Sequence, residues 1–260
     1  MSNNLADMTS PEAKEALARS RTVVLPIGSI EQHGPHLPNG TDTFAAELVA
    51  AEVADRLGAV LVPFCMYGVT PIHAGHPGSV TLRRETFEAL LSDICVELIA
   101  FEVDTFILVN WHEGNIASMN AVATDLQDRY GAHFIAAQAC YTAQRIYSAE
   151  GGELTHGGGI ETLAMLAHDP ELVKTDRVGE PTRPAGAHEL DEMRRSAEVY
   201  GFITDVTELA DAGWYGNPHW ATEPRAKDFK DRVAEAVVEG IETVMRARRI
   251  RDGNDIKERA

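Results

Sequence analysis

Cysteine is scarce in the 260-residue chain: Cys65, Cys95 and Cys140 are odd in number, widely spaced and form no CxxC pair. That excludes a disulfide framework and a thiolate zinc site, and suits incidental thiols in a reducing cytoplasm. Basic residues are also short, 23 Lys and Arg against 40 Asp and Glu, for a formal net charge of -17. Such a surface repels phosphate, so neither nucleic acid nor an anionic membrane is an expected partner. A small ligand is still compatible, because a cation held in a cleft reverses the local field. No apolar run approaches the ~18 residues of a membrane span. The opening MSNNLADM has neither the basic nor the apolar segment of a secretory signal, so the expected location is the cytoplasm. GxSxG, GxxxxGK[ST] and a post-strand GxGxxG are all missing, which argues against an elbow serine, ATP and a dinucleotide. His112-Glu113 opens like HExxH, but Ile116 stands where the second histidine belongs.

What remains is an ordinary globular composition, 44% hydrophobic and 24% charged. A chain of this length buries roughly three quarters of its surface in one core. After ten polar residues expected to be loose, the spacing predicts a helix over Pro11–Ser20, then a strand–helix rhythm. Apolar runs at Thr22–Ile27, Ala59–Phe64, Thr105–Asn110 and His133–Ala137 read as strands, with Cys140 ending the fourth. Helical spacing covers Phe44–Leu57, Arg84–Ala100, Ile116–Tyr130, Thr155–Ala167 and Lys227–Arg249. Alternation of this kind implies a single α/β domain, a mostly parallel sheet with helices on both faces. The Pro- and Gly-rich stretch 170–224 is expected to be a lid or an oligomer contact, and 250–260 a frayed tail.

Ligands of open α/β sheets bind beyond the carboxyl ends of the strands. Polar, ligand-type residues gather there: 28–42 after the first strand, 73–79 after the second, 110–115 after the third and 156–161 after the fourth. His33, His36, His73, His76, His112 and His156 all fall in these loops. Glu31 and His33 are two apart and leave the same face of an extended segment. Asp42, before a helix, could bridge two cations, and His112 follows a buried strand. Each has a plain reading of its own: a hydrogen-bonded loop histidine, an exposed Glu31, an Asp42 helix cap, a Glu161 on a helix face, a turn at Gly157–Gly159. Their convergence on one sheet edge favours a metal site. Mixed carboxylate and imidazole donors suit zinc, manganese or iron. Two such ions can activate water, polarise a carbonyl and hold a leaving group. Cys140 carries no mark of an activated thiol.

The stretch Leu25-Pro26-Ile27-Gly28-Ser29-Ile30-Glu31-Gln32-His33-Gly34-Pro35-His36-Leu37-Pro38, continued to Thr41-Asp42, resembles the signature of the creatininase (creatinine amidohydrolase) family. The likeness extends through Tyr67-Gly68, the run from His76 to Leu82, the run from Val109 to Asn115 and the run from His156 to Thr162. It covers about two thirds of the chain, fading after Asp169 and returning weakly at Gly216-Asn217-Pro218. The resemblance implies an α/β fold, two divalent transition-metal ions, hydrolysis of a small amide and a homo-oligomer, often a hexamer. By position, Glu31 resembles a ligand of one metal, His33 of the other, Asp42 the bridge, His112 the imidazole on the first metal and His156 the proton shuttle. Creatininase has a glutamate ligand where Gly114 stands here, as glycine does in many other members; Glu161 is the candidate for the remaining ligand. Tryptophans that close over creatinine have no match near Tyr141 and Gly152, while Trp111 and Glu113 replace a glycine and a tyrosine. Trp111, Glu113 and Tyr141 are therefore the expected substrate-binding residues, in a pocket that fits creatinine poorly. The expected activity is hydrolysis of a C–N bond in a small, possibly cyclic, amide. The alternatives are a peptidase trimming a small modified peptide and a non-catalytic metal- or metabolite-binding scaffold.

Overall fold

The computed structural model describes residues 2–196 and 198–258. In chain order the elements are α1 (Ser10–Ser20), β1 (Thr22–Ile27), α2 (Thr41–Leu57), β2 (Val60–Leu61), α3 (Arg84–Ala100), β3 (Thr105–Asn110) and α4 (Ile116–Tyr130). There follow β4 (His133–Gln138), α5 (Ala139–Tyr147), α6 (Gly159–His168), α7 (Ala187–Ser196), α8 (Glu223–Ala226) and α9 (Phe229–Glu258), with short 3-10 turns between. The four strands are parallel, in the order β2-β1-β3-β4.

Alternation along the strands divides the core. Val23, Leu25, Ile27, Phe106 and Leu108 pack on one face with residues of α1, α3 and α4. Val24, Ile107 and Val109 pack on the other with α2, α5, α6 and α9. Period-2 side chains under helices on both sides give the expected three-layer α/β arrangement.

Several boundaries differ from the sequence reading, each for a local reason. β2 is two residues long, not six: Pro63 offers no N–H, and pairing stops after Val62 N–H donates to Val24 O at 2.9 Å. Pro26 lies in a central strand at no cost, because its missing donor faces the side where β2 has ended. α2 starts at Thr41, with Gly40 as its N-cap, so Asp42 sits inside the first turn and caps nothing. Cys140 belongs to α5, which the apolar spacing did not predict, and α6 begins at Gly159 instead of Thr155. The N-terminal residues, expected to be loose, are joined to the sheet edge by a parallel bridge between Asn4 and Leu61. α9 continues to Glu258; residues 259 and 260 lie outside the described residues.

β1 connects outward to β2 on one side, while β3 and β4 lie on the other. The chain thus reverses its direction of winding between β1 and β3, the position where open α/β sheets leave a crevice at the strand carboxyl ends.

Candidate metal centre

The crevice is built from the four loops that the sequence singled out. Trp111 N–H donates to Ile27 O at 3.0 Å, carrying the β1–β3 pairing one residue past the strands. Asn115 then clamps the two loops together: its Nδ2 donates to Gly28 O at 2.9 Å, and its Oδ1 accepts from Val69 N at 2.8 Å. α2 comes in so close that a Cβ on Gly28 would strike the backbone of Thr43. That approach brings Asp42 against the ends of β1 and β3.

Glu31, His33, Asp42, His112 and Glu161 are all buried. Their donor atoms form two groups that share Asp42: Glu31, Asp42 and His112, and His33, Asp42 and Glu161. Asp42 divides its oxygens between them, Oδ2 lying 3.1 Å from His112 Nδ1 and Oδ1 3.3 Å from His33 Nε2. Glu31 Oε2 is 3.3 Å from His112 Nδ1, and Glu161 Oε2 is 3.6 Å from His33 Nε2. Ser29 Oγ lies 2.9 Å from Glu31 and 2.7 Å from Asp42, and its one proton serves both carboxylates.

The histidine tautomers follow from the partners at the far nitrogens. His33 Nδ1–H donates to Glu31 O (3.0 Å), His112 Nε2–H to Val69 O (3.1 Å) and His156 Nε2–H to Gln32 O (2.6 Å). A backbone carbonyl on the outer nitrogen turns the inner nitrogen into the cluster, which is how imidazoles are oriented towards metals, its lone pair available once that nitrogen gives up any proton. His33 Nε2 is buried and has no hydrogen-bond partner among the described residues. His156 Nδ1 is 3.6 Å from Glu31 Oε1, and Glu31, His33 and His156 form a third grouping within ligand reach.

Burial and the facing charges shift the protonation of the cluster. Burial disfavours a charged His33, but Asp42 and Glu161 outweigh it and raise its pKa to about 10. Burial likewise opposes charge on His112, and Glu31 and Asp42 raise its pKa well above the ordinary range. Burial would raise Glu31, yet His112 and His73 hold it well below the usual carboxylate range. Burial pushes Glu161 up to about 8, against the pull of His33. Burial and the neighbouring histidines His73 and His33 keep His156 neutral, its pKa well below normal.

One contributor was not assigned a role from the sequence. His73, 2% exposed, lies tilted by 32° against His156 with ring centroids 4.2 Å apart and sets Nε2 3.5 Å from Glu31 Oε1. Gln32 Nε2 donates to His73 Nδ1 (3.2 Å), so the inward nitrogen of His73 carries the proton and steadies Glu31. The signal lay in the loop 73–79, whose histidines the spacing flagged without separating them. The other two histidines of these loops lie apart from the donor groups: His36 Nε2 donates to Gly157 O (2.7 Å), and His76 pairs with Asp205 (3.4 Å).

The expected substrate residues separate. Trp111, 2% exposed, lines the cavity beside the cluster, and its buried Nε1 has no partner among the described residues. Glu113 also lines it, but its carboxylate is taken: by Arg194 Nη1 at 2.9 Å, Arg195 Nε at 3.2 Å and the Tyr141 hydroxyl at 3.1 Å. Tyr141 does not line the cavity; α5 begins at Ala139 and turns it outward, 39% exposed. The cavity has a volume of about 340 Å³. Part of its wall comes from the 170–224 stretch, including Arg194, Arg195 and the segment after α7.

Fold and site together place paired carboxylate–imidazole donor groups at the switch point of a parallel α/β sheet. The family pattern of creatininase, "Creatinine amidohydrolase", matches residues 6–241, and the chain belongs to this family. A mycofactocin precursor peptide peptidase of Mycobacterium ulcerans (strain Agy99) is 30% identical over 210 residues, 77% of this chain and 76% of that protein. The creatinine amidohydrolase of Pseudomonas putida is 29% identical over 194 residues, 67% and 75% respectively. The manganese form of creatininase superposes with a TM-score of 0.76 at 23% identity, covering 94% of this chain and 98% of that one.

Proposed function

We propose that this creatininase-family hydrolase cleaves a C–N bond in a small amide with two divalent transition metals, zinc, manganese or iron, at the buried cluster. The observation that carries the reading is the division of Asp42 between two donor groups, with His33 Nε2 buried 3.3 Å from Asp42 and 3.6 Å from Glu161 and making no hydrogen bond among the described residues. Glu31, Asp42 and His112 would hold one ion, and His33, Asp42 and Glu161 the other. Bound there, the pair supplies Lewis acidity for a carbonyl and lowers the pKa of water. His73 keeps Glu31 in place. His156, neutral and with Nδ1 facing Glu31, is set to take a proton from water and return it to the departing nitrogen, so an amine leaves and a carboxylate remains.

The likeness to peptidases favours a second reading of the bond, a peptide bond in a small modified peptide. Creatinine itself is not proposed, because among the described residues Trp111 is the only tryptophan lining the cavity.

Metal analysis of protein purified without chelator or affinity metal tests the centre: close to two equivalents per chain are expected. His112→Ala is expected to lose one equivalent and at least a hundredfold in kcat/KM. Hydrolysis within a few-fold of wild type in that variant would contradict the metal mechanism; no metal after incubation with zinc, manganese and iron would leave the binding scaffold as the better account.

A further inference from the structure

The cavity has two unlike walls. One is the ring of carboxylates and imidazoles. The other is apolar and is made by Ile72 of the β2–α3 loop with Tyr200, Phe202, Ile203, Val206 and Leu209 of the segment after α7. Ile203 and Leu209 are buried and pack with Tyr215 and Ile72, which gives this wall a fixed base. Tyr200 and Phe202 stand edge to face on it, ring centroids 5.6 Å apart. Both line the cavity, yet they are 51% and 86% exposed.

A single exposed aromatic needs no explanation, but an exposed pair continuous with the apolar wall of a polar-floored cavity is the arrangement of a ligand subsite. Three arginines also line the cavity, and Arg84, at the start of α3, is exposed at its mouth. Arg194 and Arg195 are already matched by Glu113 and Asp191, which lie 2.9 to 3.7 Å from them. The cavity lies near the lower end of the ~300–1,000 Å³ typical of ligand sites, enough for one amide and one sizeable side chain.

We propose that the substrate is an amide carrying a bulky apolar or aromatic group, such as the side chain of a hydrophobic amino-acid residue, and that Tyr200 and Phe202 cover that group. The proposal rests on the hydrolase reading above. A small polar cyclic amide would leave the apolar wall facing water, whereas a hydrophobic residue beside the scissile bond would cover it. Tyr200 and Phe202 are specificity residues here and take no part in the chemistry.

The test uses hydroxamates R–CO–NHOH, which chelate the metals through the carbonyl end while R grows from methyl through isobutyl to benzyl. Binding to the metal-loaded protein is measured by calorimetry, alongside kcat/KM for the matching amides. Affinity is expected to rise at least tenfold from methyl to benzyl. Phe202→Ala and Tyr200→Ala should each lose at least fivefold for the benzyl compound and nothing for the methyl one, at unchanged metal content. Truncating residues this exposed does not hollow the core. A flat series in wild type, no binding by any member, or variants that weaken both ends equally would overturn the proposal. So would a change of oligomeric state in Phe202→Ala with the series intact, which would assign the pair to a contact between copies of the chain. Graded binding without hydrolysis of any amide would keep the subsite and sink the hydrolase reading; hydrolysis without gradation would do the reverse.

Discussion

A buried imidazole between carboxylates carries a proton unless a cation takes its place. At neutral pH the metal-free protein therefore holds protons on His33 and His112, whose pKa values are raised by Asp42, Glu31 and Glu161 despite burial. Metal binding needs both rings neutral and must expel those protons. With the His33 pKa at about 10, affinity is expected to climb throughout the range from pH 6 to 8, about tenfold per pH unit for each proton released. Calorimetry in buffers of different ionisation enthalpy counts them: His33 and His112 give up two, and Glu161, its pKa pushed up to about 8, a third below that pH, so two to three protons per chain are expected; a count of zero would contradict the ligand assignment. Gly114 makes a second residue-scale case. A Cβ there would strike Val69 O and the His112 ring. Gly114→Ala is thus expected to cost about 1–3 kcal/mol of stability by overpacking and to lower metal occupancy, because His112 and its carbonyl partner must separate. Thermal unfolding with metal analysis checks it. In this chain the glycine gives His112 Nε2 and Val69 O room to meet, a link the sequence could not display: 112 and 114 look independent until the turn is seen.

At the scale of elements, the strands and the donor loops were legible because they depend on local patterns: β-branched runs, and polar clusters at their carboxyl ends. Glu31, His33, Asp42, His112 and Glu161 could be named from loop position together with the family likeness. The tautomers, the role of His73 and the two-oxygen division of Asp42 could not, since each depends on the approach of α2 and the β2–α3 loop. α5 escaped notice because a strand passes into a helix at Gln138–Ala139 with no Gly or Pro between them. That junction is also why Tyr141 reaches Glu113 from outside the cavity. α7 is held over the cavity by Glu113, whose carboxylate accepts from Arg194 and Arg195. Glu113→Gln leaves Asp191 as the one carboxylate at hydrogen-bond or ion-pair distance from these guanidiniums among the described residues. Faster hydrogen exchange over 187–196 is expected, with KM up three- to tenfold and metal content unchanged. Unaltered exchange there would mean that the apolar contacts alone hold the helix.

On the scale of the whole molecule, the sheet carries a core cluster on each face, and no helix among the described residues is long and apolar enough to cross a membrane. The net charge of -17 opposes self-association at low salt. If the chain assembles as the family resemblance implies, light scattering should give a mass near six chains, with dissociation promoted below about 20 mM salt, where screening lengths exceed ~20 Å. A monomer at every salt concentration would remove the oligomer from the account. The sequence by itself determined the fold class and the kind of chemistry, because apolar periodicity and residue type are written locally. Only the tertiary structure decided which atoms meet. Burial and convergence turn ordinary carboxylates and histidines into a paired donor site, and the segment after α7, unremarkable as a string, becomes the apolar wall that faces it.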